Sequence, residues 1–321
     1  MGANAQPAAL CNGCGLCVLP CPAWWNSRDM MVTPRGILRA LQENARAEDL
    51  RDTLFDCSMC GACEPACPLD IDILGTFRKL RGAIPSPDPE PVSPRPARNR
   101  ALTARPKRVL LPGPALIRNP ELLNLVVGVL GASAAISVSD EDGHDLALAL
   151  ETGAALETGR VKEFLAPLRQ AREVVVVEGI LHRFLRRRLP RLRVVGLAEA
   201  LLRVEGVRRS LRPGDFLVLD ARSFHSDYQR NLKLFDRVRR ESGCQMNLDL
   251  QRLAIPTTAD ATAGSRAARE STVATAIRWM LQGREIERIV AESPVELGAF
   301  RAHTEIPVVH LSEIANGAVP S

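Results

Sequence analysis

Eight of the nine cysteines in this 321-residue chain fall between residues 11 and 67, in two runs of identical spacing. The first reads Cys11-Asn-Gly-Cys14-Gly-Leu-Cys17-Val-Leu-Pro-Cys21-Pro22, and the second Cys57-Ser-Met-Cys60-Gly-Ala-Cys63-Glu-Pro-Ala-Cys67-Pro68. Three closely spaced thiols followed by a Cys-Pro is the arrangement by which a chain wraps a cubane [4Fe–4S] cluster. The glycines after Cys14 and Cys60 let the backbone turn tightly around such a group, and Pro22 and Pro68 are expected to stop regular structure past the fourth ligand. In two-cluster proteins of this type the fourth cysteine of each run serves the other cluster. Cys11, Cys14, Cys17 and Cys67 are therefore assigned to one cluster, and Cys57, Cys60, Cys63 and Cys21 to the other. Structural zinc sites use cysteine pairs separated by long loops and need neither the third cysteine nor the Cys-Pro ending.

The remaining composition is that of an ordinary globular protein, 46% hydrophobic and 25% charged, with ample material for a core. A net charge of +5 is too small for a tail-driven nucleic-acid binder, and 8 Phe, 3 Trp and 1 Tyr are too few for base-stacking platforms. Residues 1–10 lack the basic and apolar regions of a secretory signal. The weakly polar stretch 122–138 is interrupted by Asn124, Gly128, Gly131, Ser133 and Ser137, and reads as a buried helix followed by a strand rather than a membrane span. A soluble, cytoplasmic protein is expected, and in that compartment clustered thiols are metal ligands rather than disulfides.

Between Cys21 and Cys57, Ile37, Leu38, Leu41, Leu50 and Leu54 recur at helical intervals, with Pro34 and Gly36 opening the segment. A helical spacer of 35 residues points to the α-helical ferredoxin type. With its Cys-Gly-Leu-Cys stretch, its Cys-Pro endings and Thr33-Pro34-Arg35-Gly36, segment 1–84 resembles the two-cluster module of the heterodisulfide-reductase C subunit. It is similar also to the iron–sulfur subunits of glycolate oxidase and anaerobic glycerol-3-phosphate dehydrogenase. Trp24 and Trp25, directly after the first run, read as an apolar wall of that module or as part of a partner interface.

Seven prolines stud residues 85–106, a stretch expected to be an extended linker. Beyond it short apolar runs alternate with helical patterns: Arg108-Val-Leu-Leu111, then a helix over Pro120–Gly131, Glu173 to Glu178, and Arg193 to Leu201. A second copy follows with Asp215 to Asp220, a helix over 228–241, Arg288 to Ser293 and Pro307 to Ala315. Parallel sheets covered by helices are implied, in two pseudo-repeated α/β lobes at 107–205 and 214–316. This body resembles the cysteine-rich CCG domains that follow the ferredoxin module in the same subunits, where the resemblance implies further cysteines holding an additional centre. Here the corresponding positions carry Glu141-Asp142-Gly143, Thr257-Thr258-Ala259, Gly179 and Ser293-Pro294, and only Cys244 remains, read as a small buried hydrophobe.

Arg183, Arg186, Arg187, Arg188, Arg191 and Arg193 form a basic segment, read as a solvated face or a dock for an acidic protein. His144 with Asp145, and His225 with Asp220 and Asp227, are weak acid–base or metal candidates lacking a further partner. The chain has no nucleotide or flavin motif of its own. The expected function is electron transfer by two [4Fe–4S] clusters between a flavin-containing dehydrogenase or reductase and a quinone or soluble carrier, with no catalytic residues in this chain. Peripheral membrane contact would come through partners, and no nucleic acid is expected. The alternatives are a heterodisulfide or thiol reductase with an extra metal centre, and a scaffold whose clusters are structural. Residues 1–84 hold 8 basic and 9 acidic side chains, and each oxidised cubane adds roughly two negative charges. An acidic head therefore faces an Arg-rich body.

Overall fold

The computed structural model describes residues 6–86, 107–261 and 266–316. Most of the expected linker, from 87 to 106, lies outside the described residues.

The head is helical. Helices Pro22–Ser27, Pro34–Gln42, Arg51–Asp56 and Ile73–Arg81 carry it, with short 3-10 turns between them. The tetrapeptide at 33–36 builds the start of the second of these. Thr33 caps it by accepting from the Gly36 N–H at 3.1 Å, and Pro34 stands at the first position, where its missing N–H costs nothing. Arg35 reaches back to donate to the Gly13 carbonyl at 2.8 Å. A Cβ on Gly36 would lie 2.1 Å from the Met30 carbonyl oxygen, so only glycine fits. Pro22 behaves differently from the expectation. It opens the helix Pro22–Ser27 with Cys21 as N-cap instead of ending regular structure, because a fixed φ suits the first helical position.

Two four-stranded sheets follow, built from β1 (Arg108–Leu111), β2 (Ser137–Val138), β3 (Glu173–Val176) and β4 (Arg193–Gly196), then β5 (Asp215–Val218), β6 (Gln245–Met246), β7 (Arg288–Ala291) and β8 (Val308–His310). Their orders are β2-β1-β3-β4 and β6-β5-β7-β8, and the pairings are parallel. The mixture of helices and parallel sheets agrees with the α/β reading, and 122–138 forms the helix Pro120–Gly131 and the edge strand β2. Both sheets carry a cross-strand ion pair at the same place. Arg108 of β1 faces Glu173 of β3 at 3.0 Å, and Asp215 of β5 takes Arg288 of β7 in a bidentate pair at 2.8 and 2.7 Å. The charges are exchanged between the strands while the register is kept.

Alternation along the strands decides what each face meets. Val109, Leu111, Val174, Val176 and Val194 pack into the core that contains the head helices, with Ile37, Leu54 and Phe77. Leu110, Val175 and Val195 turn to the other side and share a core with Phe216, Leu217, Val218 and Ile289 of the second sheet. The first sheet is thus the layer between head and second sheet. Helix Gly179–Arg188 packs along Ala221–Ser226 to join the two sheet units. Among the described residues no helix is long and apolar enough to cross a membrane. Cys244 is buried in the second core, and burial pushes its thiol up.

His310 is buried at the end of β8. Its Nε2 donates to the Glu292 carbonyl at 2.8 Å and its Nδ1 accepts from the Ser312 N–H at 3.1 Å, which fixes a neutral ring. Burial lowers its pKa to about 4. Between pH 4 and 6.5 the unfolded chain therefore binds a proton that the folded chain refuses, so stability is lost as pH falls through that window. In urea melts the stability advantage of the native chain over His310→Gln should shrink as pH drops from 6.5 to 4, by up to about 3 kcal/mol. Separately, Arg288→Met alone should cost about 3 kcal/mol, since buried Asp215 loses its bidentate partner and is left with Arg212 at 3.6 Å, and adding Asp215→Leu should recover part of it.

Candidate metal centre

Both cysteine runs fold with the same backbone. Gly15 and Gly61 each take φ +81°, the left-handed region that a side chain resists. The residue before the second cysteine is left-handed too, with Gly13 at +77° and Met59 at +55°. The two turns that the spacing predicted are therefore present in both copies.

Thiols of the two runs lie within reach of one another's charge. Burial raises the Cys17 thiol to about 11, and Cys11, Cys14 and Cys67 raise it further. Burial likewise pushes Cys63 well up, with added contributions from Glu64, Cys57, Cys60 and Cys21. Cys60 rises to about 11 through burial, opposed by a hydrogen bond from the Ala62 N–H. Cys21, at a helix start, accepts from the Trp24 and Ala23 N–H groups, yet burial still raises it. Among the described residues no three His, Cys, Asp or Glu side chains stand close enough to hold a single metal ion. The thiols sense one another over the range of charge interactions, and none forms a disulfide.

This donor set suits an iron–sulfur group. Metal ligation requires thiolates, and burial favours the protonated form at Cys17, Cys21, Cys60 and Cys63 until a cation replaces the proton. Backbone N–H groups at Cys21 and Cys60 already point at sulfur, which lowers the cost of the charge. Residues 7–71 match the family described as a 4Fe-4S dicluster domain. The head is that of an iron–sulfur protein. No curated protein and no solved structure matches the chain.

The two runs of this iron–sulfur head differ in what surrounds them. The first is exposed: Cys14 lies at the surface beside the exposed Leu10, Leu16 and Leu19. Within the head it is held through Arg35 at Gly13 and through Gln42, whose amide donates to the Cys11 carbonyl at 2.8 Å. The second run is embedded. Arg81, fully buried, donates to the Leu54 carbonyl at 3.0 Å, to that of Cys57, and to that of Glu151 at 2.5 Å. Arg222 donates to the Ser58 carbonyl at 2.6 Å. His225 donates from Nδ1 to the Cys60 carbonyl at 2.9 Å and accepts the Ala254 N–H on Nε2 at 3.1 Å. That double engagement makes His225 a bracket between loop and body, and leaves it neither ring nitrogen for a metal.

Arg222 stands at the carboxyl ends of the strands, the edge where open α/β sheets place their sites. Glu178 follows β3, Asp220 follows β5 and Glu292 follows β7. Arg222 pairs with Asp260 at 3.0 Å, Glu151 at 3.2 Å and Glu178 at 4.0 Å. Burial works against its charge, and Asp260, Glu151 and Glu178 more than offset that, so its pKa is raised. Burial pushes Asp220 up to about 7 and Glu292 up to about 8. Glu292 accepts the N–H groups of Ala198 and Asp220, each at 2.9 Å.

The positions expected to be vacated metal ligands have ordinary polar roles. Thr257 donates to Glu296 at 2.8 Å, and Ser293 caps the helix Pro294–His303. Gly179 begins the helix Gly179–Arg188. Glu141 and Asp145 both pair with Arg160, at 2.6 and 2.7 Å, and the His144 N–H donates to Asp142.

The basic segment is partly consumed inside the chain. Arg183 pairs with Glu64, Arg187 with Asp72 at 3.2 Å, and Arg186 with Asp227 at 3.0 Å. Glu64 and Asp72 belong to the head, so an acidic surface that this segment meets is the chain's own. Trp25 also faces inward: its ring lies 4.3 Å from that of Trp279, and its Nε1 donates to the Leu19 carbonyl at 2.8 Å. Trp24 packs against the head core. The buried arginines 81 and 222 were missed by sequence reasoning. The one available signal was an arginine just after the apolar run 215–220, where a buried strand end needs compensation for its acid.

Arg222→Gln should leave Glu151 and Asp260 uncompensated and cost about 3–5 kcal/mol in urea unfolding. Arg169→Gln, on the exposed surface, should change stability by no more than about 0.5 kcal/mol.

Proposed function

We propose that this protein is an electron-transfer subunit in which Cys11, Cys14, Cys17 and Cys67 hold one [4Fe–4S] cluster and Cys57, Cys60, Cys63 and Cys21 hold a second. When bound, such clusters supply reversible one-electron storage. The observation that carries the reading is the grouping of the thiols: Cys17 senses Cys67 from the other run, and Cys63 senses Cys21. These cross-run neighbours support the exchange of fourth cysteines that two-cluster proteins of this type use.

The rest of the chain serves that task by position. Arg81, Arg222 and His225 grip three carbonyls of the second loop, which holds its cysteines in place and keeps water from them. The first run, with Cys14 exposed among leucines, is the face on which a partner can approach. Two-electron chemistry on an organic substrate needs a station such as a flavin, and a flavoprotein dehydrogenase or reductase is the partner that would bring it. A quinone or soluble carrier would complete the relay. The body, with the layout of two degenerate CCG-like lobes, then acts as a platform. Thiol reduction at an extra centre in the body is disfavoured, because Thr257 is engaged by Glu296, Ser293 by the Val295 N–H, and Glu151 and Asp260 by Arg222.

Anaerobically purified chain should contain about eight irons and as many acid-labile sulfides, given four irons per cubane. Cys14→Ser and Cys60→Ser should each lower iron to about four per chain and stop electron passage to a one-electron acceptor, with the far-ultraviolet circular dichroism of the body unchanged. Native iron content and native transfer rate in the Cys14→Ser/Cys60→Ser double variant would refute the reading.

A further inference from the structure

Beside the second cysteine loop lies a cavity of about 210 Å3. Met59, Cys60 and Gly61 form one side, and helices Ile73–Arg81 and Gly179–Arg188 form the others. Five arginines line it: Arg78, Arg183, Arg187, Arg188 and Arg222. Three of them have carboxylate partners. Arg183 is paired with Glu64, Arg187 with Asp72, and Arg222 with Glu151 and Asp260.

The other two do not. Among the described residues Arg78 and Arg188 have no hydrogen-bonded or ion-paired carboxylate, and the Arg188 guanidinium lies over the Phe184 ring at 5.5 Å. The Nε of Arg78 is fully buried and has no hydrogen-bond partner. The guanidinium as a whole is only partly buried and lines the cavity, so a bound acceptor there would answer a charge that the chain leaves without a carboxylate. Arg78 and Arg188 also act on each other: burial and the charge of Arg188 both lower the pKa of Arg78. Two like charges facing one cavity favour an anion between them.

The remaining wall is apolar, with Leu74, Leu150, Ile180 and Phe184. The volume is below the roughly 300–1,000 Å3 of pockets that take drug-sized ligands. Size, charge and wall together select a compact molecule with one oxyanion group and a small apolar or aromatic body. We propose that this cavity is a binding site for a small organic anion, a carboxylate or phosphate monoester, held by Arg78 and Arg188 against the Cys60 loop. The site rests on the electron-transfer reading only for its neighbour, the second cluster. Its own chemistry is anion recognition.

Phenyl phosphate is a suitable probe, with inorganic phosphate as comparison, titrated calorimetrically into the full chain carrying its iron. Saturable binding at one site per chain is expected, tighter for phenyl phosphate than for inorganic phosphate. Arg78→Gln and Arg188→Gln should each weaken it at least about fivefold, as loss of one charge-assisted hydrogen bond implies, and Arg237→Gln on the exposed surface should leave it unchanged. Circular dichroism and iron content of each variant establish that it is folded and loaded. Absence of saturable binding, equal affinity for inorganic phosphate, or native affinity in the Arg78→Gln/Arg188→Gln double variant would overturn the proposal. Chain that carries iron but does not bind the probe refutes this site alone. Chain that binds the probe but holds no iron refutes the electron-transfer reading and leaves the site standing.

Discussion

The buried guanidinium of Arg222 is the interaction on which the arrangement of this molecule depends. It touches three parts of the chain at once: the Ser58 carbonyl of the second cysteine loop, Glu151 of the first sheet unit, and Asp260 of the second. A charge so far from water is tolerable only where several acids answer it. Once they do, the group that carries it can no longer shift independently of them. The head is thereby fastened to the carboxyl ends of both sheets through one side chain, and His225 adds a second fastening one helical turn away.

That fastening creates the asymmetry between two otherwise equivalent cysteine runs. Their backbones repeat, down to the left-handed glycines after Cys14 and Cys60. Their surroundings do not, because the carbonyls of the second run are the ones gripped by buried side chains of the body. The first run therefore exposes Cys14, whereas Cys60 of the second lines a cavity ringed by arginines, which gives the head two distinct ends. Two equivalent exposed runs would lack that difference.

Much of this was legible in the sequence. Thiol spacing alone marks residues 11–67 as an iron–sulfur head, which the match to a 4Fe-4S dicluster domain over residues 7–71 supports, since a cubane imposes its own separation on ligands close in sequence. The apolar runs at 108–111, 173–178, 215–220 and 288–293 locate strands for the same local reason: a strand buried on both faces needs uninterrupted branched residues. The role of Pro22 was misread because the same residue that ends one element can begin the next. The basic segment is largely the solvated face expected, with Arg187, Arg188, Arg191 and Arg193 exposed; what the sequence hid is that Arg183 and Arg187 pair with Glu64 and Asp72, more than a hundred residues away.

Sequence by itself determined the chemistry of the head, the helical spacer and the alternation of strands and helices, all of which depend on neighbours within a few residues. Only the tertiary structure decided which arginines are buried and which remain free, that His225 is a bracket rather than a ligand, and that Arg78 and Arg188 converge beside Cys60. The physical reason is that a charge is assigned its role by what surrounds it in space. Charge interactions strengthen as water is excluded, and water is excluded only when distant segments close over one another.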